Sequence, residues 1–248
     1  MQYVLITALG VGGATVFGAV IGFIFKKGAM KFGDIVLAFA SGIMLAASVF
    51  SLIIPSVEYA TRDMGTVGVL VTVLGIFAGA LCLTLLDKLL PNLHKERSES
   101  GGYTDSVILF VLAIAIHNLP EGLAAGVSFG SGNISDTLMI AGSIALQNIP
   151  EGMVIISPML AAGFTPTKTF LIALSTGIVE VVGTLIGYFT VTISMTVLPF
   201  ALSFAGGTML YVIADDMIPK THSDGSSGSA TYSLLFGFAL MVIFDAVL

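Results

Sequence analysis

Runs of about twenty apolar residues recur from one end of this chain to the other, and that length constrains its fold more than any other feature. A helix rising about 1.5 Å per residue needs roughly 20 such residues to cross the hydrocarbon layer of a bilayer. No water is present there to satisfy backbone N–H and C=O groups, so each run must bond to itself as a helix. Composition agrees: 56% of the 248 residues are hydrophobic and 10% are charged, against roughly 25% charged in a soluble domain. The chain therefore reads as an all-α integral membrane protein with its partner the lipid bilayer. Eight spans are expected, at about 3–25, 34–57, 66–90, 106–130, 136–162, 167–191, 198–218 and 231–248. The connections are short, and the Ser/Gly-rich pieces at 98–102 and 223–229 are too brief to separate domains. One transmembrane domain over 1–248 follows. The first span is too long and too glycine-rich for a cleaved signal peptide, so it is read as a retained helix.

The positions of the nine Lys and Arg residues indicate orientation. Lys26, Lys27, Lys31, Lys88, Lys95, Arg97, Lys168 and Lys220 fall on one side of the expected bundle, and Arg62 falls on the other. Under the positive-inside rule the odd-numbered loops face the cytoplasm and both termini face outward, in a cell membrane. No basic patch suits nucleic acid. Cys82 stands alone, which excludes an intrachain disulfide. Gly-x-x-x-Gly spacings at Gly18/Gly22, Gly75/Gly79, Gly122/Gly126 and Gly183/Gly187 suit closely packed helices in lipid. A homodimer is left open by the sequence.

Polar groups stand where the apolar runs are deepest. Span four carries IAIHNLPEGLAAG (114–126) and span five the near-repeat IALQNIPEGMVII (144–156). An ionisable group at the bilayer centre costs about 2.5–3.5 kcal/mol on insertion scales, so it is retained for a use. His117, Asn118 and Glu121 share one helix face, as do Gln147, Asn148 and Glu151. The two spans run in opposite directions, which brings both motifs to one depth. Pro120 and Pro150 lack an N–H and should break their helices, freeing the carbonyls of Ile116 and Leu146. Glu180 lies deep in span six with no basic residue in reach along it, and Met44 in span two offers a thioether. Carboxylates without Lys or Arg at that depth call for protons or a cation, and a divalent metal meets the balance. Imidazole with carboxylate suits zinc, iron(II) and related ions; a thioether shifts preference toward softer ones.

HNLPEG and QNIPEG resemble the paired motifs of the ZIP (Zrt-, Irt-like protein) family, closest to its short bacterial members. FASGIMLAASVFSLIIP (39–55), IVEVVGTLIG in span six and DDMIPKTH in span seven fit the same pattern. The resemblance implies an eight-helix bundle arranged 3+2+3, spans one to three relating to six to eight by inverted symmetry. It implies transport of zinc, and of iron, manganese or cadmium, toward the cytoplasm by alternating access. It also implies a metal site of His117, Asn118, Glu121, Gln147, Asn148, Glu151, Glu180 and Met44. Many members have His where this chain has Gln147, and some have Asp in place of Asn148. Both changes substitute a neutral amide for a stronger ligand at a second metal position.

Further groups lie along an expected path. Asp215, Asp216 and His222 stand toward the cytoplasmic exit, with His94 and Asp224 in cytoplasmic loops; Glu58 and Asp245 stand toward the outer entrance. Each is equally read as a solvated helix-end or loop charge. No prosthetic group is implied, only the transported metal, and no ATP-binding loop is present. The competing class, an intramembrane metal-dependent hydrolase, needs a general base beside an open metal position, and the sequence lacks H-E-x-x-H.

Overall fold

The computed structural model describes residues 1–89, 103–193, 197–221 and 227–247. Within them the side chains of 26–32, 86, 87, 89, 103–106, 108–110, 112, 113, 117, 193 and 227 lie outside the description. The described residues form eight helical rods. α1 is Gln2–Ile24; α2 runs Lys26–Ala47, through a π turn at Ser48–Ile53, to Ile54–Met64. α3 is Gly68–Leu89, α4 Tyr103–Val127, α5 Ile134–Ala161 and α6 Pro166–Ile193. α7 runs Leu198–Val212, through a π turn at Ile213–Met217, to Ile218–Thr221, and α8 is Ser227–Val247. Among the described residues, six segments are long and apolar enough to cross a membrane. They are Gln2–Ile24, Gly33–Leu85 (which spans parts of α2 and α3), Ile134–Ala161, Pro166–Thr192, Leu198–Thr221 and Gly228–Val247. The protein is thus a multi-pass membrane protein. Leu70, Leu74, Phe77 and Leu81 stand exposed along one stripe of α3, as side chains facing acyl chains do.

The rods pair in a regular way. α1 packs on α5 and α4 on α6; α2 packs on α8 and α3 on α7; α2 also meets α5, and α4 meets α7. Exchanging α1 with α6, α2 with α7, α3 with α8 and α4 with α5 turns each of these pairings into another. Glycine contacts obey the same exchange. A methyl group at Gly152 would strike the Thr15 carbonyl, and one at Gly122 the Glu180 carbonyl. Gly42 meets Leu234 as Gly207 meets Ile76, and Gly237 meets Phe39 as Gly79 meets Phe204. Gly18, Gly79, Gly122, Gly126, Gly183 and Gly187 of the Gly-x-x-x-Gly pairs are likewise sites of backbone-to-backbone approach, which the missing Cβ allows.

Two expectations need correction. Pro120 and Pro150 do not break their helices: α4 and α5 continue through both. A proline removes one N–H from the ladder, and here α6 packs along α4 and α1 along α5, so the remaining bonds hold. The ladder changes instead in α2 and α7, whose π turns both run into an Ile-Pro pair, Ile54-Pro55 and Ile218-Pro219. The second span is also longer than its apolar part. Expected at 34–57, the helix extends to Met64, because the polar stretch Glu58–Asp63 keeps its backbone bonds after leaving the apolar layer.

The glycine contacts give a direct test. Gly207→Val should destabilise the detergent-solubilised protein by about 1–3 kcal/mol, as overpacking does. Gly10→Ala, whose new methyl group meets nothing within 4 Å, should not lower the melting temperature.

Candidate metal site

The two Pro-Glu-Gly motifs meet near the middle of α4 and α5. Helical spacing puts Asn118 and Glu121 of α4 inward, and Gln147, Asn148 and Glu151 of α5 toward them; none is more than 3% exposed. α1 and α6 close the sides. The α1 face in contact is built from small residues, Ala8, Gly12, Thr15, Ala19 and Gly22, which lets Thr15 approach the centre.

Glu180 of α6 is the best-bonded group there. Its Oε1 accepts from Thr15 Oγ1 at 2.6 Å and from Asn118 Nδ2 at 2.6 Å. Its Oε2 accepts from Asn148 Nδ2 at 2.6 Å. The same asparagine nitrogens also reach backbone carbonyls, Asn118 that of Thr176 at 3.4 Å and Asn148 that of Val11 at 3.3 Å. These two bonds are equivalent under the exchange of α4 with α5 and α6 with α1. Glu180 and Thr15 occupy equivalent positions and bond to each other across the centre.

The groups on the inner side contrast with this. Both Glu121 oxygens, both polar atoms of the Gln147 amide, and Oδ1 of Asn118 and of Asn148 are buried without a hydrogen-bond partner. Glu151 and Glu180 lie near enough for their charges to act on Glu121, and Gln147 faces its carboxyl short of a formed hydrogen bond. Buried polar atoms left open are rare in folded proteins and mark a missing partner. No Lys or Arg lies in α1, α4 or α5, so these three helices bring none to the site. Hard oxygen donors of this kind suit a divalent ion. Among the described residues no three His, Cys, Asp or Glu side chains come together as a ready metal-binding group; the oxygens on offer are carboxylate and amide. His117 lies on α4, but its side chain falls outside the description.

The other expected residues are placed as follows. Met44 is fully buried in an apolar cluster with Ala124, Ala125, Ile144 and Met209, one turn from Glu121 and Gln147. Asp215 is exposed, while Asp216 is half-buried and pairs with Lys220 Nζ at 3.0 Å. Glu58 is exposed on the last part of α2. Asp245 is partly buried on α8, with Oδ1 lacking a partner. His94, His222 and Asp224 lie outside the described residues. Sequence reasoning missed Thr15. The signal for it is the small-residue face of α1, on which it is the polar member.

Residues 93–245 match the family described as ZIP Zinc transporter. The chain belongs to the ZIP family. Its relatives include zinc transporter GufA of Myxococcus xanthus, 40% identical over 79% of each chain. Zinc transporter ZIPB of Bordetella bronchiseptica is 34% identical over 95% of this chain and 78% of its own. Zinc transporter ZupT of Chlorobaculum parvum is 33% identical over 94% of this chain and 92% of its own. Membership of a ZIP transporter family sets the hydrolase alternative aside: the protein is not an enzyme.

The two kinds of buried carboxylate should respond oppositely to mutation. Glu180→Ala strips three donors of their acceptor and should destabilise the metal-free protein by on the order of 3 kcal/mol. Glu121→Gln replaces a buried carboxyl whose oxygens have no hydrogen-bond partner by an uncharged amide of the same shape and should leave the metal-free melting temperature equal or higher. Thermal unfolding in detergent reads both.

Proposed function

We propose that this ZIP protein carries divalent cations, zinc foremost, across a cell membrane toward the cytoplasm through a site shared by α4 and α5. The observation that carries this reading is the ring of buried oxygens with no hydrogen-bond partner, on two facing helices that hold no Lys or Arg. A dication is the partner such oxygens lack. The names of the relatives support zinc as cargo. Iron(II), manganese and cadmium share enough of zinc's ligand chemistry to compete for the same donors.

The proposed ligands are Glu121 and Glu151 as charged donors, with His117, Gln147 and the Oδ1 atoms of Asn118 and Asn148 completing the shell. Two carboxylates neutralise one dication, so Glu121 and Glu151 together match the charge of a single ion. Met44, set among apolar side chains, bounds the site on the α2 side. Asp216 and its ion pair with Lys220 stand on the proposed exit side, with Asp215, and Glu58 and Asp245 stand on the proposed outer side.

The pairing of rods supports a 3+2+3 inverted repeat, in which α1–α3 and α6–α8 are related about the α4–α5 core. A repeat of that kind gives two alternative packings of similar energy, one open to each side, which is the basis of alternating access. The lysine and arginine distribution supports outward termini. A dication moving inward gains about 4.6 kcal/mol per 100 mV, twice the single-charge value, so potential alone favours uptake.

Zinc uptake into sealed proteoliposomes tests this, with iron(II), manganese and cadmium as competitors. Glu121→Ala and Glu151→Ala should each lower uptake at least about tenfold, the loss expected when one charged ligand is removed. Wild-type vesicles that take up no zinc, or uptake indifferent to both substitutions, would refute the mechanism.

A further inference from the structure

Glu180 stands where the family resemblance implies a metal ligand, yet its surroundings describe another task. We propose that Glu180 is a positioning residue: with Thr15 as its counterpart on α1, it holds the two motif asparagines so that their carbonyl oxygens face the ion. This rests on the metal-site reading above and assigns its supporting shell.

A carboxylate offers about four acceptor positions, and three of those of Glu180 are filled by donors at 2.6 Å from α1, α4 and α5. An ion binding Glu180 would have to compete with all three. An amide side chain has two ends, and here the nitrogen end of each asparagine is claimed twice, once by Glu180 and once by a backbone carbonyl. The oxygen end must then point away from Glu180. Both Oδ1 atoms are buried and unpartnered, as are the Glu121 oxygens. The carboxylate so determines which end of each amide is presented to the cargo.

Thr15 completes the device. It is equivalent to Glu180 under the exchange of α1 with α6, so two acids could have faced each other across the centre. A hydroxyl stands there instead, and it donates to the acid. One carboxylate thereby serves both halves of the site, and Glu180 ties α6 to α1, α4 and α5 at once. It also explains an asparagine at 148 in this chain: an aspartate there has no N–H to give Glu180 and would set two carboxylates against each other.

The test is zinc titration calorimetry on the purified full-length protein in detergent, with melting of the metal-free protein measured beside it. Thr15 is a ligand in no reading of this site, so its effect isolates the positioning role. Thr15→Val should weaken zinc binding between about three- and tenfold, the range for one net side-chain hydrogen bond, and Thr15→Ser should restore it. Asn148→Asp should weaken binding too, although it adds a carboxylate beside the ion. Zinc binding by Thr15→Val equal to wild type would overturn the proposal. So would tighter binding, or a second zinc, in Asn148→Asp, since Glu180 and residue 148 would then be ligating together. Asn148→Asp keeps the test decisive if Thr15→Val does not fold. Wild-type protein that binds no zinc would refute the site itself, a result distinct from wild-type binding that Thr15→Val leaves unchanged.

Discussion

The acid of α6 with its three hydrogen bonds is the interaction on which the rest of this structure depends. A carboxylate in an apolar layer is tolerated only when its charge is met by donors, and no cationic side chain is present in α1, α4 or α5 to meet it. Donors come instead from Thr15, Asn118 and Asn148, one on each neighbouring helix. Satisfying Glu180 therefore brings four rods to one point. Those rods can reach that point because Gly12, Gly122, Gly152 and Gly177 allow backbones to touch. The close approach and the polar network are two parts of one arrangement: without the glycines the hydrogen bonds would be out of reach.

A second consequence is the separation of polar groups into satisfied and unsatisfied sets. Behind the site the asparagine nitrogens and Glu180 are bonded to one another and to neighbouring helices. In front of it Glu121, Gln147 and the asparagine oxygens are left open. A fold selected for stability alone would fill that space with apolar side chains, which is often the more stable choice. Retaining open oxygens costs stability, a cost that the cargo site proposed above would put to use. The exchange symmetry of the rods extends the same arrangement, since one packing scheme, used twice, frames the site from both sides.

The fold was legible in the sequence to the extent that the bilayer dictates it. Apolar length marks each rod, and polar residues at matched depth in spans four and five mark the site. Helix ends were less legible, since hydropathy follows the apolar layer while the backbone bonds of α2 continue past it to Met64. The prolines misled in a specific way. Pro120 and Pro150 sit inside helices buttressed by neighbours and leave them continuous, whereas Pro55 and Pro219, drawing less notice, follow the two π turns. Thr15 was invisible for a physical reason. A threonine in a helix can satisfy its hydroxyl on its own preceding turn, as Thr84 and Thr184 do. Its presence in an apolar run therefore raises no electrostatic question until the partner across the interface is seen.

The central claim, that cargo is held between α4 and α5 at the level of the two motifs, is tested most directly by anomalous diffraction from zinc-loaded crystals. The account predicts one anomalous peak bounded by Glu121, Glu151 and Gln147, with the Asn118 and Asn148 oxygens turned toward it and Glu180 still bonded to Thr15. A peak confined to Asp215 and Asp216, or a fully loaded crystal with no peak between α4 and α5, would contradict it.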